Sequence, residues 1–522
     1  MSRGSLTLQS RLYGRILRQA PAALEASVGR LVRGGYLRMV GATPAWLPLG
    51  VRVLERILRE THATWSEAQP VELAEGRLGS GWLELVQSDL QSYRQLPIVL
   101  RSGRGVTTES TGSAVFPRRA VEWAAAMGGT VDEWSEGLDE SISSLLRRLG
   151  LTAVRAARGD QAWSWVMRGA GGTARVLGCS ECGYAALAEF AAFRRVPMLR
   201  EPLLEAATVA TPHADTIARL ASSLGLDPRQ TLKAIFYELA DGQILLAVLR
   251  GDLEVEVGKV ESIAGQPISG PAREPAIRRS GAIPGYASPI GLPVRSSPSS
   301  SGLWVLADLS LEGMVNFVAG ANQDGFHITG VNFPRDFLAT EVADIAQANE
   351  GFACNVCGSS LAASTGVEVA RMSALRDCFR FTGSDGADTL GSLVWGAVLP
   401  ESVVVATSGA SEVGLEWPRA VAPFDVHIVN LVDAPEAQGL AAELVDSGLA
   451  VLLDDRSLSA GVRLVEADWI GAPCRVIVGR KSLGQGGVEI RGEGTGPAMV
   501  AWDKAKDAIL ARTTQVMSMD LT

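Results

Sequence analysis

Residues 205–252 read EAATVATPHADTIARLASSLGLDPRQTLKAIFYELADGQILLAVLRGD, and the pattern is helix, turn, strand, turn, strand. Asp241-Gly242 stands between two apolar runs, AIFYEL and QILLAVL, which is a strong hairpin signal. SSPSSSG at 296–302 reads as a loop, and LWVLADLSL after it as a strand. Together they predict a small α/β domain over residues 200–345, inserted into a larger body.

The larger body begins with apolar residues at helical spacing. Leu12, Ile16 and Leu17, then Leu24, Val28, Leu31 and Val32, predict one or two helices over 8–40. Pro48 and Gly50 punctuate the start of a helix from Val51 to about His62. VDEWSEGLDESISSLLRRLG at 131–150 predicts an amphipathic helix, acidic first and basic last, closed by Gly150. From about 421 strands and helices alternate, which predicts a compact α/β domain of parallel-sheet texture. The glycines of GQGGVEIRGEG (484–494) fall on a predicted hairpin, not a strand-to-helix turn, so no nucleotide is assigned to them.

With 522 residues, 47% of them hydrophobic, several packed domains are expected. A net charge of -9 excludes a polycationic mode of nucleic-acid binding but leaves room for a local basic patch. No DNA partner is expected. MSRGSLTLQSRLYGRILRQ lacks the apolar stretch of a secretory signal, and no apolar run approaches a membrane span. A soluble, cytoplasmic protein is the expectation.

The six cysteines are too few for a secreted disulfide scaffold. Four of them form two C-x-x-C-G knuckles, Cys179/Cys182 and Cys354/Cys357. Each knuckle offers two thiolates, and its glycine permits the tight turn, so the four predict a tetrahedral zinc site. Such a site is structural, because four thiolates leave no open coordination position. Two coincidental pairs, or a redox dithiol, are the alternatives. Cys378 and Cys474 read as ordinary buried thiols.

In order along the chain, several segments resemble bacterial prolyl-tRNA synthetases of class II. RGGYLRMVGATPAWLPLGVRVLERI resembles motif 1, which builds the dimer interface, and DLQSYRQLP the approach to motif 2. GLDPRQTLKAIFYELADGQILLAVLRGD, GAIPGYASPIGL and MVNFVAGANQDGFHITGVNFPRD resemble the editing insertion. CNVCG resembles the return to the core. WPRAVAPFDVHIVNL and LLDDRSLSAGVRLVEADWIGAPCRVIVGRKSL resemble the anticodon-binding domain. The fold so implied is α/β and α+β, multidomain. A class II antiparallel-sheet core at 1–199 and 346–418 holds an editing-type α/β insertion at 200–345, and an α/β anticodon-binding domain follows at 419–522.

The departures from that family concern ATP. Its motif 2, F-R-D-E, falls on GVTTES (105–110), and its motif 3, G-C-Y-G-I-G-V-S-R, on GSLVWGAVLPESV (391–403). Both arginines that bind phosphate are gone, although Arg118 and Arg119 lie nearby. The Thr-x-Glu element falls in a shortened LGSGWLELV (78–86). The Gly-rich segment is replaced around ARGDQAWSWVMRGAGG, and H-I-F-x-L-G-x-K-Y-S by RMSALRDCFR. A charge-assisted contact is worth about 1.5–3 kcal/mol, so losing several removes adenylation.

For the insertion the resemblance implies site roles. Lys233 binds the terminal adenosine, the Gly285-x-x-x-Pro289 loop orients the 3′ ester, and His327 gates side-chain size. Glu256 and Ser288 stand where the family has asparagine and glycine. Asp454, Asp455, Arg456, Arg463, Arg480 and Lys481 lie where the family reads the guanines of a proline anticodon. The implied protein is a homodimer that binds tRNA(Pro) or its aminoacylated form. It lacks amino-acid activation and hydrolyses misacylated tRNA in trans. Non-catalytic tRNA binding, or use of aminoacyl-tRNA in specialised metabolism, are the other readings.

Overall fold

The computed structural model describes residues 4–514, apart from 22–23, 25, 42, 66–69, 74–80, 103–105, 109–117, 129–130, 170–171, 196–200, 298–299, 409–413 and 493–494. Gly105, Glu109 and Ser110 of the motif 2 replacement, and Leu78 to Ser80, thus lie outside the described residues. The chain forms two compact units: Met1–Ala156, Asp160–Ala174 and Ser364–Thr522 make one, and Ala157–Gly159 with Arg175–Ala363 the other.

The first unit holds two large sheets, besides the two-stranded pair Leu37–Val40 and Thr43–Trp46. In one, the strands Ala162–Arg168, Ala362–Thr382, Asp388–Val398, Arg118–Gly128 and Ile98–Ser102 run antiparallel in that order. Val71–Leu73 adds a parallel edge. Strand alternation divides this sheet into two faces. Trp123 and Val394 join the core under the helices Pro48–Thr64 and Asp132–Arg148, whereas Ala124 and Leu393 join a separate cluster with Trp82, Phe379 and Phe381. Asp132–Arg148 has Asp132 and Glu133 in its first turn and Arg147 and Arg148 in its last, which suits the helix dipole. It buries Ile142, Leu145 and Leu146.

The second sheet of this unit has six strands. Ser5–Leu8, Ala450–Asp454, Val426–Asn430 and Cys474–Val478 are parallel, and Gly487–Gly492 and Thr495–Ala501 complete it antiparallel. The helices Pro435–Asp446 and Trp502–Thr514 bury Leu440, Leu444 and Ile509 against one face.

The start of the chain corrects one expectation. Among the described residues of 8–40, only Ala26–Arg33 is α-helical. Leu12, Ile16 and Leu17 still pack on the core, but from irregular chain interrupted by Gly14 at φ 117°. Helical spacing of apolar residues records burial, and here an extended segment achieves it while Ser5–Leu8 finds a sheet edge.

The second unit contains a five-stranded sheet, ordered Ile268–Pro271, Leu232–Leu239, Ile244–Arg250, Trp304–Asp308, Glu341–Ala343, and a three-stranded one of Ala207–Ala210, Phe326–Val331 and Phe317–Gly320. The hairpin turns at Gly242, φ 82°, while Asp241 accepts the Gln243 N–H at 2.9 Å. Ile217–Leu224 is a helix capped by the Thr216 side chain and ended by left-handed Gly225. Among the described residues no helix is long and apolar enough to cross a membrane.

Candidate functional site

The four cysteines of the two knuckles meet within the second unit. Their Sγ atoms all lie within 4.8 Å of one another. Cys179 and Cys357 are 3.4 Å apart and Cys182 and Cys354 3.7 Å, well beyond disulfide length. The knuckles are built alike. Gly183 N–H donates to Cys179 O and Gly358 N–H to Cys354 O, with both glycines at positive φ. Hydrogen bonds from the Ser359 backbone and hydroxyl lower the Cys357 thiol to about 6. Four convergent thiols of this kind suit a tetrahedral metal ion.

In the same unit the strand Phe326–Val331 carries His327, 4% exposed. Its Nδ1 is 2.6 Å from Thr211 Oγ1, and its ring lies 5.3 Å from that of Tyr286. Burial lowers this imidazole to about 4, so it is neutral at pH 7. Tyr286 belongs to the Gly285–Pro289 loop, which Asn322 clamps: its Oδ1 accepts the Ser288 N–H, and its Nδ2 donates to Ser288 O and Ile290 O. Gly285 needs its φ of 82°, and an added Cβ would sit 2.9 Å from Asp215 Cβ. The structure therefore brings His327 and the loop together. The sequence does not single out Thr211, Tyr286 and Asn322, because their contacts join segments that only the fold brings together.

Lys233 is placed differently. It lies within the strand Leu232–Leu239. Its neighbours Leu232 and Ala234 pack with Ala287 and Ile290, so alternation turns the lysine to the opposite face. There Nζ donates to Leu253 O at 2.5 Å and to Glu254 Oε1 at 2.6 Å. Glu256 precedes the helix Val257–Ala264, half-buried, with its carboxyl raised by desolvation.

In the first unit, the sheet face opposite the helices is filled. Trp82 is fully buried there, and its Nε1 donates to Glu122 Oε2 at 3.2 Å. Gly391, the first residue of the motif 3 replacement, pairs with Gly128 across the strands. A Cβ on Gly391 would lie 2.3 Å from the Phe379 ring, and one on Gly128 2.8 Å from Phe381, so the two rings rest directly on backbone. Trp395 flanks them, with the Arg371 guanidinium 5.7 Å from its ring. Leu399 is buried just before the helix Pro400–Thr407.

The six charged residues near the six-stranded sheet do not form one surface. Asp454 is fully buried and accepts from Arg456 Nε at 2.9 Å and Arg463 Nε at 3.0 Å. Arg463 is only 2% exposed. This pair is internal, which corrects the expectation that both residues face a ligand. Arg456 also binds Glu466, and Asp455 accepts from the Ser10 N–H and hydroxyl. Arg480 and Lys481 are the exposed members of the six.

Two stretches match known families: residues 211–337 the aminoacyl-tRNA editing domain, and 421–512 the anticodon binding domain. Over most of its length the chain is similar to the proline–tRNA ligase of Dehalococcoides mccartyi strain 195, at 31% identity over 92% of this chain and 94% of that protein. The enzyme of Moorella thermoacetica is 32% identical, with 92% and 94% covered. That of Salinispora tropica is 31% identical, with 96% of each chain covered. The chain belongs to the proline–tRNA ligase family.

Proposed function

We propose that this member of the family binds tRNA(Pro) and removes misattached amino acids, alanine in the first instance, in trans, without activating an amino acid itself. The observation that carries the reading is the aromatic filling of one sheet face by Trp82, Phe379 and Phe381, at strands where the family holds ATP. The chain Gly391–Val403 contains no arginine to receive a phosphate. Meanwhile the Gly285–Pro289 loop and His327 form a clamped site. Hydrolysis there is positional: backbone donors and the vicinal hydroxyl of the tRNA orient the ester for water. A neutral His327 lines that site by shape and does not act as a cation.

Exposed Arg480 and Lys481 supply phosphate contacts for the tRNA, while the Asp454–Arg463 pair is internal scaffold. The four cysteines bind a structural zinc, and the motif 1 region makes a homodimer in the cytoplasm. The test is direct. Purified protein is assayed for proline-dependent exchange of pyrophosphate with ATP, expected absent, and for deacylation of alanyl-tRNA(Pro), expected present. Exchange overturns the loss of activation.

One observation favours a second reading, a non-catalytic tRNA-binding subunit. Lys233 is held by Leu253 and Glu254, away from the Gly285–Pro289 loop. Tight tRNA binding with no deacylation selects that reading.

A further inference from the structure

On its helical side the antiparallel sheet of the first unit leaves a slot of about 410 Å³. Its floor is a cross-strand row, Val99 opposite Ala125 and Ala125 opposite Val394. Its roof is one face of the helix Asp132–Arg148, where Trp134, Gly137, Leu138 and Ser141 recur at helical spacing. The space exists because small residues face each other: Ala125 on the sheet, Gly137 on the helix. A Cβ at Gly137 would meet nothing within 4 Å.

The walls are aromatic. Trp65 and Trp123 pack against each other, centroids 3.8 Å apart and planes tilted by 37°, and close one side, and Trp134 stands 36% exposed beside the mouth. The charged residue lining the slot is Glu133, exposed on the first turn of the helix. An apolar slot walled by indole rings, with one carboxylate at its edge, selects a flat apolar body bearing a cation.

We infer that this slot is a binding site for an aromatic monoamine, its ring between the Ala125 row and Gly137 and its ammonium at Glu133. It lies on the sheet face opposite Trp82 and Phe379 and is independent of tRNA chemistry.

Titration calorimetry of the full chain with tryptamine, and with indole as the uncharged control, tests the assignment. Tryptamine binds at one site with a Kd of about 1 mM or tighter, the range for a ligand of this size. Gly137→Leu fills the slot and weakens tryptamine more than about tenfold, while its melting curve is retained or raised because a mid-helix glycine is lost. Glu133→Gln weakens tryptamine about two- to fivefold, the worth of an exposed charge contact, and leaves indole unchanged. No saturable tryptamine binding, or equal binding by Gly137→Leu, overturns the proposal. So does tryptamine affinity that falls as protein concentration rises, because a second copy then occupies the slot.

Discussion

The Trp82 indole donates to the Glu122 carboxylate at 3.2 Å, with both residues fully buried. The helix Gly81–Asp89 is thereby pinned to a face shared by Leu393, Phe379 and Phe381. Trp82→Ala is expected to cost about 3–5 kcal/mol in chemical denaturation, through the cavity and a buried carboxylate left without this donor. The variant still shows no proline-dependent pyrophosphate exchange, because an emptied cavity brings no cation for a triphosphate. Appearance of exchange would refute the reading.

Metal content is a separate matter. If the four convergent thiols hold zinc, purified protein is expected to carry about one zinc per chain. Cys354→Ser loses it, and chelation lowers the melting temperature of the second unit. A metal content near zero in protein prepared under reducing conditions counts against the site.

Arg463 and Arg480 separate scaffold from surface. Arg463→Ala leaves Asp454 buried without one of its partners and is expected to cost about 3–5 kcal/mol of stability. Arg480→Ala and Lys481→Ala leave the melting temperature within error. Each lowers the slope of log K against log salt for tRNA binding by about one, as lost phosphate contacts do. An unchanged slope in both variants removes these two residues from the interface.

Stability depends on pH through two buried histidines. Burial lowers His327 to about 4 and His427, which bonds Gln9, to about 3. Both are neutral in the fold but take up protons near pH 6.5 when unfolded. Their contribution is complete above pH 6.5 and is lost as pH falls toward 4, by about 2 kcal/mol each at pH 5. Urea unfolding at pH 7 and pH 5 measures the loss, and His427→Gln halves it. Equal stability at the two values contradicts the burial of both rings.

For the deacylase reading, His327→Ala is expected to change the preference among alanyl-, cysteinyl- and prolyl-tRNA, because it enlarges the space beside Tyr286. Lys233→Ala discriminates further: loss of hydrolysis means the Glu254 contact opens when tRNA binds, and retained hydrolysis assigns the lysine to structure. An unaltered preference in His327→Ala would detach the histidine from the pocket.

Local signals were readable without coordinates wherever the chain decides its own conformation. Asp241-Gly242 turned where expected, and the charge order of Asp132–Arg148 made its helix. The two C-x-x-C-G spacings announced a four-thiol cluster, since each knuckle is closed by its own backbone. Missing arginines at 391–403 were equally plain, because a charge absent from the sequence is absent from the fold. Decisions that depend on tertiary packing are not legible. Whether Asp454 faces solvent or Arg463, which side of its strand Lys233 takes, and that Ser5–Leu8 completes a sheet with Ala450–Asp454 all depend on what packs alongside. Charge and period are properties of a residue and its neighbours in sequence, but burial is conferred by whatever the tertiary fold packs alongside, whether close in the chain, as Arg463 is to Asp454, or at its far end, as Ala450–Asp454 is to Ser5–Leu8.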